Sequence, residues 1–129
     1  METMRLEIVT PQGTIFDDQV KMVTVPGKEG EFGILPHHAS LITLLSAGVI
    51  EYEKADNTKG LVAINWGHIK IEEEGVTILA DGAVAIGGSD SDIKAKIEEA
   101  NELIASIGDN DMAIATAKSR LETAAKGLF

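Results

Sequence analysis

The chain of 129 residues contains no cysteine, and its aromatic residues are only one Trp, one Tyr and three Phe. The absence of cysteine excludes disulfide frameworks, thiolate metal sites and cysteine nucleophiles together. Basic residues are also scarce, because 11 Lys and Arg stand against 21 Asp and Glu and leave a net charge of -10. Such a charge repels phosphate backbones and anionic lipids, so we expect no nucleic acid ligand.

Long hydrophobic runs are missing as well. The longest apolar stretch, residues 40–50, is interrupted by Ser, Thr and Gly. A membrane helix needs about 20 apolar residues, so we expect no direct membrane insertion, and any membrane association should go through a partner protein. The remaining composition, 44% hydrophobic and 25% charged, is typical of a globular domain with a packed core.

The pattern of the chain changes near residue 88. All three prolines and 11 of the 13 glycines lie at or before Gly88. In this first part, apolar and polar residues alternate in short runs, which predicts strands with one buried face. The runs are residues 5–9, 19–25, 49–53, 68–72 and 76–80. Turn residues separate them at the spacing expected of an antiparallel sandwich or barrel, so the sequence predicts an all-β domain over residues 1–86.

The second part has the periodicity of helices. Apolar residues at positions 93, 97, 100, 104 and 107, and again at 114, 117, 121, 124 and 128, alternate spacings of three and four. The short connection at residues 108–110 predicts an antiparallel helical hairpin domain over residues 87–129. Because alanine buries little area, the second stripe, which contains Ala117 and Ala124, predicts weak docking on the β-domain.

The two predicted helices differ in charge. Residues 89–111 contain two lysines and seven acidic residues, whereas residues 112–129 contain three basic residues and one acidic residue. The basic residues of the last helix are Lys118, Arg120 and Lys126. The last helix is therefore the basic element of an acidic protein.

Glycine recurs every three residues at Gly27, Gly30 and Gly33, which invites comparison with a phosphate-binding loop. A phosphate loop leads into a helix and avoids fixed anions, whereas this segment carries Glu29 and Glu31 and continues towards a proline. Two interpretations remain: a tight hairpin that uses positive-φ glycines, and an acidic loop that contacts a partner.

Catalytic and metal-binding patterns are weak in this sequence. The histidines His37, His38 and His68 have no acidic residue at a metal-ligand spacing, and no nucleophile elbow or Walker lysine is present. Glu72–Glu74 is interpreted as a solvated turn. For Trp66, core packing is the first interpretation and an interface anchor the second. The sequence therefore favours a non-enzymatic binding or coupling module, with no catalytic residue, metal or cofactor.

Several segments resemble the epsilon subunit of bacterial and chloroplast F-type ATP synthases. The matching order is residues 6–11, then 23–27, then 29–39, then 76–81, followed by a two-helix tail. The most specific block is residues 25–39. This chain departs from the family at one point in that block, since it has His37 where the family usually has Gly in Pro-Gly-His-Ala.

The resemblance implies a sandwich of about ten strands with a helical hairpin, and a non-catalytic, peripheral role at the foot of the central stalk. Its implied partners are the gamma subunit, the c-ring and the catalytic alpha/beta head, at the cytoplasmic face of the bacterial plasma membrane. The implied contact residues are Glu29, Gly30 and Glu31 for the c-ring, and Pro36, His38 and Ala39 for gamma. The alternative is an adaptor or ligand-binding sandwich that is unrelated to energy coupling.

The resemblance also implies that the hairpin can leave the sandwich and restrain ATP hydrolysis. Its basic residues Lys118, Arg120 and Lys126 would then meet acidic loops of the catalytic subunits. The alternative is a permanently docked hairpin with a solvated basic face. Some family members bind ATP through an Ile/Leu-Asp-x-x-Arg-Ala signature. Here Lys94 and Ile97 replace its Asp and Arg, so we expect no ATP cofactor.

Overall fold

The computed structural model describes residues 2–86 and 97–103. Residues 97–103 are helical, and ten strands precede them. The strands are β1 (Met4–Thr10), β2 (Gly13–Val20), β3 (Met22–Gly27), β4 (Gly30–Ile34), β5 (Leu41–Leu45), β6 (Gly48–Glu53), β7 (Lys59–Ile64), β8 (Gly67–Glu72), β9 (Gly75–Ala80) and β10 (Ala83–Ile86).

The strands form one sheet that folds over on itself. The order is β10-β7-β6-β3-β5-β8-β9-β1-β2, and β4 pairs with β3. The link between β3 and β5 is a single pair, Gly27 with Leu45. Leu6 and Val20 from one end of this order share a core with Ile50 and Val62 from the other end. The strands on either side of the link therefore face each other as the two layers of a sandwich.

The predicted β-sandwich followed by helical structure is confirmed, with two corrections to its strands. Strands β1 and β9 pair in parallel, whereas the sequence analysis predicted an antiparallel arrangement throughout. The predicted run 19–25 spans two strands. Val20 and Val23 are both fully buried although they lie three residues apart, and one strand of period two cannot point both inwards. Lys21 therefore interrupts the strand, so that β2 ends at Val20 and β3 begins at Met22.

The helical segment, residues 97–103, packs on the outer face of the β6–β7–β10 layer. Ala100 is completely buried there and Ile97 is partly buried. The strand residues beneath them are Val49, Leu61, Ala63 and Ile86, with Val84 at the margin. This confirms that the first predicted helical stripe faces inwards at Ile97 and Ala100. The rest of the predicted hairpin lies outside the described residues, and the boundary at residues 86 and 87 stays a prediction.

Candidate docking surfaces

The acidic tip, residues 28–31, closes the hairpin between β3 and β4. Gly27 pairs with Gly30 across it. Gly30 has φ +137°, and a Cβ on Gly27 would lie 2.6 Å from the carbonyl oxygen of Gly30, so both positions require glycine. Glu29, Gly30 and Glu31 are exposed. The tight hairpin is thus confirmed with Gly30 as its positive-φ residue, whereas contact with a partner stays a prediction.

Two backbone hydrogen bonds hold the acidic tip against the end of β5. The amide of Lys28 donates to the carbonyl of Leu44 over 3.0 Å, and the amide of Ser46 donates to the carbonyl of Pro26 over 2.9 Å. The β3–β4 hairpin is therefore anchored to the second layer, which fixes the direction in which its tip projects.

The second predicted contact segment, Pro36–Ala39, begins in a tight turn after β4. The amide of His38 donates to the carbonyl of Leu35 over 3.2 Å, and His37 at the third position of the turn has φ +67°. With proline second and a positive φ third, this is a type II turn, which explains why the related family has glycine there. The Nε2 atom of His37 lies 3.0 Å from the Glu2 carboxylate.

The acidic tip and the Pro36–Ala39 segment lie at opposite ends of β4. The strand runs from Gly30 to Ile34, so it separates them by about 15 Å at ~3.3 Å per residue. The structure does not bring the two predicted contact sites together. They are therefore able to face two different partners at once.

An exposed apolar face covers part of the outer side of the β5–β8–β9–β1 layer. Register places Leu44 opposite His68, His68 opposite Leu79, and Leu79 opposite Val9. Leu44 is 40% exposed, Leu79 53% and Trp66 47%, and the Trp66 ring meets the His68 ring edge-on at 5.9 Å. We call these five residues the apolar face.

The exposure of Trp66 corrects the first interpretation of that residue, since Trp66 does not pack in the core. The turn that carries it explains its position. The Oδ1 atom of Asn65 accepts hydrogen bonds from the amides of Trp66 and Gly82, at 2.9 and 2.8 Å, and Nδ2 of Asn65 donates to Asp81 over 2.9 Å. This network ties the turn before β8 to the turn after β9, and the indole remains on the surface.

The apolar face contains an open cleft of about 340 Å³. Its walls combine residues of the apolar face with the β1–β2 turn and the end of β9. The lining residues are Val9, Thr10, Pro11, Trp66, His68, Leu79, Ala80 and Asp81. An apolar side chain of a partner is the group that such a cleft accommodates best, because its walls offer few polar atoms.

Charged side chains border the apolar face further along the same strands. Arg5 donates to both carboxylate oxygens of Asp17, at 2.9 and 2.8 Å, and Lys70 pairs with Glu72 at 2.8 Å. The hydrogen bond from Arg5 holds the pKa of Asp17 below its usual range. Glu72–Glu74 are exposed at the end of β8 and in the turn that follows it, as predicted. The outer surface of this layer is thus apolar near the acidic tip, and towards the other end it becomes charged along β1 and β8, with Ile42 exposed opposite Lys70.

Within residues 2–86 and 97–103, no three His, Asp or Glu side chains group together as metal ligands, and no helix is long and apolar enough to cross a membrane. The distinctive features of this part of the chain are the exposed acidic tip and the exposed apolar face of a sandwich. This combination of fold and exposed surfaces is typical of an interaction subunit.

Comparison with known proteins identifies the kind of interaction subunit. Residues 3–86 match the family model of the β-sandwich domain of the ATP synthase delta/epsilon chain. The ATP synthase epsilon chain of Sulfurovum sp. is 56% identical over 126 residues, which cover 98% of both chains. That of Wolinella succinogenes is 53% identical over 98% of this chain and 97% of the relative. The chain belongs to the ATP synthase epsilon chain family, a family of non-catalytic subunits.

Solved structures agree on the fold. A chain of the Euglena gracilis mitochondrial ATP synthase, determined with OSCP, F1 and c-ring, matches with a TM-score of 0.63 at 23% identity over 92% of this chain and 74% of that one. A chain of the Tetrahymena thermophila central stalk and c-ring matches with a TM-score of 0.55 at 11% identity, over 82% of this chain and 96% of that one. Family membership sets aside the alternative of an adaptor unrelated to energy coupling.

Proposed function

We propose that this chain is a central-stalk rotor subunit of an F-type ATP synthase, which joins the gamma subunit to the c-ring and restrains ATP hydrolysis through its C-terminal helices. The observation that carries the proposal is the apolar face. Burying it against a partner removes apolar surface from water, which is the main driving force of association. The proposal includes a peripheral position at the cytoplasmic face of the bacterial plasma membrane.

The gamma subunit is the partner that we assign to the apolar face and to the Pro36–Ala39 segment. The two outer surfaces of the sandwich differ, because residues 97–103 cover the β6–β7–β10 side, whereas Trp66 and Leu79 remain about half exposed on the other side. Exposed aromatic side chains beside a cleft are typical interface anchors. Pro36, His38 and Ala39 would form a second, separate contact with gamma at the far end of β4.

The c-ring is the partner that we assign to Glu29, Gly30 and Glu31. The tip projects from the margin of the apolar face, where the Lys28 amide meets the Leu44 carbonyl. A subunit held by gamma through the apolar face would keep the exposed tip beside that contact, where the c-ring would meet it. Charge complementarity with polar and basic loops of the ring would set the register of docking more than its strength.

The regulatory part of the proposal rests on the helices. Residues 97–103 are held by a small cluster that is separate from the sandwich core, so their release leaves that core intact. Once released, the hairpin would carry Lys118, Arg120 and Lys126 towards acidic loops of the catalytic alpha/beta head. These three positions lie outside the described residues.

The proposal is tested by neutralising the acidic tip in the reconstituted ATP synthase. We expect Glu29→Gln combined with Glu31→Gln to lower ATP-driven proton pumping while hydrolysis by the catalytic head persists. The matched control is Glu73→Gln combined with Glu74→Gln, which removes two exposed charges from the opposite end of the sandwich. Ionic strength should be kept low, since exposed charges are screened over ~10 Å at 0.1 M salt. Equal pumping by the two double variants would contradict the assigned ring contact.

A further inference from the structure

The helical segment that covers the β6–β7–β10 side contains an enclosed polar atom with no hydrogen-bond donor among the described residues. The Oδ1 atom of Asn101 has less than 1 Å² of exposed surface, and none of the described residues donates a hydrogen bond to it. Buried polar atoms are nearly always paired, so an exception of this kind requires an explanation.

The position of Asn101 places the unpaired atom beside the docked face of the helical segment. Asn101 directly follows Ala100, which is completely buried against the sheet, and lies one helical turn after Ile97. It therefore borders the stripe that contacts Val49 and Leu61. Asparagine also forms helices less readily than most residues, so neither the helix nor its packing explains this choice.

Docking of the helical segment is favoured by burial of Ile97 and Ala100 and opposed by burial of the amide oxygen of Asn101. Ala100 gains little from burial, because its side chain is a single methyl group, and Ile97 is only partly buried. Enclosing the amide oxygen of Asn101 removes its hydrogen bonds to water without replacing them. When the segment leaves the sheet, water restores those bonds. The unpaired atom therefore favours the released state.

We propose that Asn101 is a release element, whose unsatisfied Oδ1 atom sets how often the helical segment leaves the sandwich. The inference about release stands on the structure of the docked segment alone. Its consequence for ATP hydrolysis rests on the proposed function, in which the released helices restrain the catalytic head.

Native-state hydrogen exchange of the full chain tests the proposal. Asn101→Leu removes the unpaired acceptor and adds an apolar side chain, and Asn101→Ala removes the acceptor without added bulk. We expect both variants to raise the protection of the amides in residues 97–103, by about tenfold or more for the leucine variant, because a buried unpaired acceptor is costly. Protection in the sandwich core, as at Leu6 and Ile8, should stay unchanged.

The control separates release from helix propensity. Comparing Glu102→Asn with Glu102→Leu makes the same Asn-to-Leu difference at an exposed position of the same segment. If the Asn101 variants change protection no more than this pair does, or if they lower it, the proposal is wrong. The alanine variant keeps the test valid if leucine does not fit at position 101.

Hydrolysis by the reconstituted complex then distinguishes this inference from the proposed function. Higher protection together with faster ATP hydrolysis supports both, since a retained hairpin cannot restrain the head. Higher protection with unchanged hydrolysis supports the release element and contradicts the regulatory part of the proposed function. Unchanged protection overturns the release element, whatever the hydrolysis rate.

Discussion

Trp66 is the residue at which the proposed gamma contact is most open to measurement. Its side chain is 47% exposed, so roughly 100 Å² of a tryptophan surface is left for a partner to cover. At about 25 cal/mol per Å², that area is worth about 2.5 kcal/mol of binding free energy. We therefore expect Trp66→Ala to raise the Kd for gamma by about 50- to 100-fold, since about 1.4 kcal/mol corresponds to a factor of ten.

Titration calorimetry of the full chain against purified gamma subunit measures this change. The control is Lys59→Ala, which removes a long exposed side chain from β7 in the other layer. A thermal melt of each variant checks the fold, and the Tm of Trp66→Ala should fall only slightly because the indole lies on the surface. If the Kd of Trp66→Ala for gamma lies within threefold of the Kd of the parent chain, the indole does not anchor this contact. The inference from its exposed area to binding free energy is then wrong.

Three further predictions concern the helices, the charged border and the turn after β4. Truncation after Gly88 should raise ATP hydrolysis by the reconstituted complex, and unchanged activity would favour a permanently docked hairpin. Because Arg5 lowers the folded-state pKa of Asp17, their pairing stabilises the fold above the ordinary Asp pKa and is lost as pH falls through the lowered value. We therefore expect the Tm of Asp17→Asn to fall less than that of the parent chain when the pH is lowered below about 4. If the Tm of both proteins falls equally over that range, the pairing does not contribute as argued. His37→Gly should raise the Tm by about 2 to 4 °C, since φ +67° is strained for histidine, whereas a lower Tm would show that the Glu2 contact outweighs that strain.

The alternating pattern was sufficient to predict strands with one buried face, because side chains of period two must separate a core side from an outer side. Met4, Leu6 and Ile8 in β1 and Ile69 and Ile71 in β8 are buried as the alternation requires. The pattern could not predict which strands pair. The parallel pairing of β1 with β9 joins segments about 70 residues apart, and no local periodicity encodes such a contact.

The candidate site was predicted in part. The hairpin at Gly27–Gly30 follows from local chemistry, since a tight turn with a positive φ requires glycine. The exposure of Trp66 does not follow from local chemistry, because it depends on how Asn65 ties two turns that are distant in sequence. The identity of Leu79 does indicate the apolar face. Leu79 lies between the buried residues Ile78 and Ala80, on the outer side of the strand, where a solvent-exposed strand normally has a polar residue.

Both outer surfaces of the sandwich have apolar residues at outward-facing strand positions. In β7, Leu61 and Ala63 point away from the core and are nevertheless apolar, and the chain's own helical segment covers them. In β5 and β9, Leu44 and Leu79 also point outwards and are apolar, but they remain exposed among the described residues. Both layers thus have strands that are apolar on the core side and on the outer side. This pattern predicts that another element packs on the outer side, but it does not indicate whether that element belongs to the same chain or to a partner. Since the helical segment already occupies one side, the cover for the apolar face is best supplied by another subunit, which is the reasoning that the Trp66 experiment tests.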